Sequence, residues 1–127
     1  MSAPITVLKK RADFLAAAAS GFKYVKPSLV VQSRVRRQDE LSVSAVRVGF
    51  TATKTLGNAV VRSRVKRRLR AAVQQLEVEL MPGCDYVFIG RQSCLKGTFD
   101  DLIHDMKHAL KRLAHQMAEG SNRNSEQ

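Results

Sequence analysis

Residues 49–70 read GFTATKTLGNAVVRSRVKRRLR, and the rest of the chain is best understood by working outward from them. The stretch opens inside an alternating segment, Ala45 to Thr53. Val46, Val48, Phe50 and Ala52 point one way there, and Arg47, Gly49, Thr51 and Thr53 the other. A period of two predicts a half-buried strand with a polar, partly basic outer face. Gly57-Asn58 then punctuates, and Asn58 suits an N-cap because its short side-chain oxygen accepts an N–H of the first helical turn. A long helix is predicted from Ala59 to about Leu80, stopped by Pro82-Gly83. At helical spacing Val61, Val65, Leu69, Ala72, Val73, Leu76 and Leu80 fall in one arc, so the helix docks by one face. Lys66, Arg70, Arg67, Arg64 and Arg68 fan round the remainder, with Arg62 at the edge of the apolar stripe.

This charge is concentrated. Of the 127 residues, 22 are Lys or Arg against 11 Asp or Glu, a net of +11. Residues 1–70 carry sixteen basic against three acidic side chains, a net of +13, while residues 71–127 net −2. Six of the nine residues from Arg62 to Arg70 are basic. Like charges at i,i+4 (Arg62/Lys66, Lys66/Arg70) repel by a few tenths of a kcal/mol, roughly, and cations near a helix N-terminus oppose its dipole. Local stability therefore does not favour the arrangement. A phosphate backbone does, through counterion release and two-point guanidinium contacts. The opposing reading is a solvated basic face with no partner.

The length suits one domain, and 44% hydrophobic residues with 26% charged residues is a globular balance. Lys10 to Ser20 reads as a short helix stopped by Gly21, and Phe22 to Val25 as a short strand. Leu29 to Arg36 reads as a second strand with Leu29, Val31, Ser33 and Val35 on one side, followed by a polar turn at Arg37-Gln38-Asp39-Glu40. Tyr86 to Gly90 is a buried strand. Phe99 to Ala118 repeats Phe99, Leu102, Ile103, Met106, Leu110, Leu113 and Met117 at helical spacing. The predicted class is α+β in the order α-β-β-β-α-β-α, a single domain over residues 1–119 with a four-stranded mixed sheet. Residues 120–127 are expected to be a flexible tail. No apolar run approaches the ~18 residues that span a bilayer, so a cytoplasmic protein without membrane contact is expected. Cys84 and Cys94 form no CxxC pair and read as buried thiols of a reduced compartment.

The central stretch resembles the signature of the bacterial ribonuclease P protein subunit: a strand, a lysine, Gly-Asn-Ala-Val, then Arg-Asn-Arg-x-Lys-Arg-x-x-Arg on a helix. Gly57-Asn58-Ala59-Val60 matches as it stands, Lys54 takes the lysine place, and Arg62, Arg64, Lys66, Arg67 and Arg70 take basic positions. Leu8-Lys9-Lys10 with Asp13-Phe14 is similar to the family's first helix, so the likeness spans nearly the whole chain. Departures are Ser63 for asparagine, Thr55 for a second lysine, and Ala18 and Gln32 at places where relatives have aromatics. The resemblance implies an accessory to an RNA catalyst that removes the 5′ leader of precursor tRNA. It implies binding of the catalytic RNA subunit through Lys54, Asn58, Arg62, Ser63, Arg64, Lys66, Arg67, Arg68 and Arg70. It also implies a cleft for the single-stranded leader, with Phe14, Phe22, Lys23, Arg47 and Thr51 as its candidates. A left-handed β-α-β crossover and a monomer in a 1:1 ribonucleoprotein are expected on the same ground. Magnesium is expected to serve the RNA-catalysed reaction, with no cofactor held by the protein.

Protein-side catalysis has little to stand on. A metal nuclease needs carboxylates converging on cations, whereas of the last helix's Asp100, Asp101 and Asp105 the latter two fall on the solvent side, and Asp85 stands before a strand. His104 and His108, spaced i,i+4, lie with His115 on that helix's polar face and read as solvated. Phe14 fits a core ring on spacing alone; only the resemblance moves it to the cleft. Two rivals remain: a ribosomal or other structured-RNA protein without leader binding, and an independent protein nuclease.

Overall fold

The computed structural model of the chain describes residues 5–19, 21–36 and 45–119. The polar turn expected at 37–40 and the tail expected at 120–127 lie outside the described residues. The elements run β1 (Ile5–Val7), α1 (Arg11–Ala19), β2 (Phe22–Val25), β3 (Leu29–Val35), β4 (Val46–Thr51), α2 (Ala59–Gln75), β5 (Cys84–Gly90), α3 (Ser93–Lys96) and α4 (Phe99–Ala118). One mixed sheet has the order β1-β4-β5-β3-β2. β1/β4 and β4/β5 are parallel, and β5/β3 and β3/β2 antiparallel. The α+β class and mixed sheet agree with the sequence reading, but the strand count is five, not four. The added strand, Ile5-Thr6-Val7, is too short to announce a period of its own. It forms by extending the edge of β4, where the Leu8 N–H continues the ladder to the Val48 carbonyl at 2.7 Å.

Strand alternation gives the sheet two unlike faces. Leu29, Val31, Val46, Val48, Tyr86 and Phe88 face α2 and α4 and form the large core with Val65, Leu69, Met106, Leu110 and Leu113. Val87 and Ile89 face the other way and meet Leu8, Phe14 and Ala17, so α1 covers part of the second face. Where α2 crosses β5 the backbones come close: a Cβ at Gly90 would stand 2.3 Å from Val65 Cγ1. The thiols of Cys84 and Cys94 are buried in the large core, and burial pushes Cys84 up to about 11.

Two local expectations are corrected. α2 ends at Gln75, and Glu77–Glu79 tightens into a 3-10 turn after Leu76 leaves helical geometry at φ −118°. Leu76 and Leu80 stay buried regardless, so the apolar pattern outlasts the helix. Val35 keeps its expected side, opposite the buried Cys84, and is exposed as the last residue of β3. Asp85 does not precede β5 as a surface acid; it lies inside the strand, fully buried.

Candidate nucleic-acid interface

The approach to α2 is shaped by short-range bonds. Lys54–Leu56 makes a 3-10 turn that leaves Lys54 in solvent, and Gly57 takes φ 146°, a region that disfavours side chains. Asn58 caps the helix as expected, its Oδ1 accepting the Val61 N–H at 3.0 Å. Val65, Leu69, Ala72 and Val73 are buried beneath. Their burial fixes the roll of α2 and leaves Ser63, Arg64, Lys66, Arg67 and Arg70 exposed, with Arg62 half-buried. Among the described residues, no carboxylate lies within ion-pair distance of any cation on α2.

Two of these arginines are engaged within the protein. Arg68 is half-buried: its Nε donates to the Cys94 carbonyl at 2.8 Å and a terminal N–H to the Gly97 carbonyl at 3.3 Å. Its guanidinium also lies 5.7 Å from the Phe99 ring centre, so Arg68 ties α2 to the segment between α3 and α4. Arg70 lies over Phe50 at 5.2 Å while remaining exposed. Among the described residues, the exposed cations left without a protein partner are therefore Lys54, Arg64, Lys66 and Arg67, with Arg62 half-buried beside them.

The five leader-cleft candidates are not gathered at one point. Register puts Lys23, Arg47 and Thr51 on the face that α1 partly covers. Phe22 pairs with Ser33, belongs to the opposite face and packs against the large core. Its parity along β2 sets it on the face opposite Lys23, Arg47 and Thr51. Lys23 on β2 and Thr51 on β4 stand three strand spacings apart, about 14 Å. Phe14 is half-buried and lies directly above Gly49, where a Cβ would stand 2.6 Å from the ring. The ring thus packs on the small cluster while part of it stays open to solvent.

Arg47 is not an open cationic wall. Its Nε and a terminal N–H donate to the two oxygens of Asp85 at 2.8 and 2.7 Å, and its other terminal N–H reaches Asp13 of α1 at 3.4 Å. Arg36 adds a bond to Asp85 at 2.6 Å and another to the Ala45 carbonyl, and Arg34 lies 3.3 Å from the same carboxylate. Burial alone raises the Asp85 carboxyl, but the hydrogen bonds and charges of Arg47 and Arg36 outweigh it and hold the group below the ordinary carboxylate range. The sequence showed only one acid and three strand arginines. Their meeting depends on the register Arg34–Asp85–Arg47 across β3, β5 and β4, which composition does not reveal.

Two acids of α4, Asp101 and Asp105, have structural partners. Thr98 and Asp101 form a reciprocal capping box, with the Asp101 N–H on Thr98 Oγ1 at 3.0 Å and the Thr98 N–H on Asp101 Oδ2 at 3.4 Å. Asp105 accepts the Ser28 hydroxyl at 2.8 Å. Among the described residues, no three His, Cys, Asp or Glu side chains are grouped to hold a metal ion, and no helix is long and apolar enough to cross a membrane.

Residues 4–114 match the family model described as Ribonuclease P. The chain is 43% identical over 114 residues to the "Ribonuclease P protein component" of Paramagnetospirillum magneticum, covering 89% of this chain and 86% of that one. It is 45% identical over 114 residues to the protein of that name from Ruegeria pomeroyi, covering 88% and 89%. Among solved structures it is similar to the Staphylococcus aureus RNase P protein, with TM-score 0.70 and 26% identity over 84% of this chain and 93% of that one. The Thermotoga maritima RNase P protein shares the fold, with TM-score 0.70 and 24% identity over 83% and 94%.

Proposed function

From the premise that the chain belongs to the ribonuclease P protein family, being the protein component of a ribonucleoprotein endoribonuclease, we propose how its surfaces serve that enzyme. The α2 face grips the catalytic RNA subunit, and the α1 face of the sheet receives the 5′ leader of precursor tRNA. The observation that carries the reading is the exposed set Lys54, Arg64, Lys66 and Arg67, for which no described acid supplies a counter-charge. Folded RNA supplies it, releasing counterions as each phosphate is neutralised. Ser63 and Asn58 line the same helix start, and Asn58 acts first as the cap that aims it. Arg68 and Arg70 contribute charge from positions fixed by carbonyls and a ring.

The leader lies along Phe14 and Thr51, with Lys23 on the far flank of α1. One stacking ring, a hydroxyl and a lysine suit single-stranded RNA of any sequence. Arg47 serves here by positioning, since it joins α1 to the sheet through Asp13 and Asp85. Bond cleavage belongs to the RNA subunit with magnesium, and the protein's part is to bind and orient.

The test is a cleavage assay on precursor tRNA with protein alone, RNA subunit alone at low magnesium, and the two together. Leader removal is expected to rise sharply only on combination. Cutting by the protein alone, or no gain on combining, overturns the reading.

A further inference from the structure

A second cationic surface lies on α4, in the half of the chain whose overall charge is slightly negative. His104, Lys107, His108 and Lys111 are spaced i, i+3, i+4 and i+7 on its exposed face, and with Lys26 from the end of β2 they line a groove of about 460 Å³. Among the described residues, the five that line it all carry nitrogen donors, and none is a carboxylate. The groove is built before any ligand arrives. Lys26 Nζ lies 2.9 Å from His108 Nδ1, and an ammonium has no lone pair, so the imidazole accepts and keeps Nε2 as a donor. Arg91 holds the Lys26 carbonyl at 3.0 Å, while Ser28 anchors the turn after β2 to Asp105. Asp105 is thereby engaged on the neighbouring side. The edge of the Tyr24 ring meets the face of His108 or the reverse, at 5.5 Å and 85°, and steadies the imidazole.

We propose that this groove is a second RNA contact, in which Lys107, Lys111 and His104 bind phosphodiesters of an RNA strand beyond those held by α2. The inference rests on the RNA-binding reading above. α2 lies over β4 and β5 and α4 over β2 and β3, so the two cationic surfaces stand toward opposite edges of one helical layer. Lysines spaced along a groove are point-charge partners for successive phosphates. An RNA large enough to pass both edges meets both surfaces.

The decisive experiment compares the full chain, Lys107→Gln/Lys111→Gln and Arg64→Gln/Arg67→Gln, for binding to the RNA subunit and to precursor tRNA across a salt series. Both lysines are exposed, so an unchanged melting curve is expected for their variant. Its affinity for one of the two RNAs should fall about tenfold, with the log–log salt slope reduced by about 1.5 for two lost phosphate contacts. Loss with the RNA subunit places the strand there; loss with precursor tRNA places it on the substrate. Unchanged slopes for both RNAs overturn this inference while the α2 variant still weakens binding. If the α2 variant is also unaffected, the reading beneath it fails as well.

Discussion

Asp85 is one carboxylate facing three guanidiniums, Arg34 of β3, Arg36 just beyond it and Arg47 of β4, with no exposure of its own. Asp85→Asn leaves these arginines partly buried without their counter-charge, and a loss of about 3–5 kcal/mol is expected in urea unfolding. The pH dependence follows from the depressed carboxyl. The unfolded group titrates near ~3.9, so the stabilisation is whole above that value and disappears as pH falls through the lower folded value. Acid unfolding followed by circular dichroism should show this component in the native chain and lack it in Asp85→Asn. Phe14 poses a different question, because it packs on the small cluster while remaining half-exposed on the proposed leader face. Phe14→Ala should weaken binding of leader-bearing precursor more than of mature tRNA. Equal loss for both would make it a packing residue only.

Among the elements, α2 depends most on close approach. Gly90→Ala puts a methyl against Val65, which is buried and β-branched and so has little freedom to yield. A destabilisation of about 1–3 kcal/mol is expected, visible as a lower urea midpoint. Elements with a long apolar repeat were legible from sequence: α4 spans Phe99–Ala118 as its spacing predicts, and the buried residues of α2, Val65, Leu69, Ala72 and Val73, all lie on the predicted arc. Elements stabilised by a neighbour were not. β1 has three residues and exists through β4, and the four-residue α3 is tied to α2 by Arg68. The same division runs through the candidate site. The exposed cations of α2 follow from helical period alone, whereas the pairing of Arg47 with Asp85 and the placing of Phe22 on the face opposite Lys23 require the register between strands.

Over the whole molecule, charge and packing are separated in space. Arg64→Ala or Arg67→Ala should each lower the salt slope for RNA-subunit binding by roughly one while leaving the urea midpoint in place, since neither side chain is buried. An unchanged slope would count against phosphate contact. The sheet itself is fastened differently at its two ends. Around Arg34, Asp85 and Arg47 it is clasped by ions, and around Leu29, Phe88 and Gly90 by oily side chains beneath α2 and α4. Acid dissolves the first fastening and spares the second, so a strongly acidified chain should open like a book with its spine intact, the pages parting first beside α1.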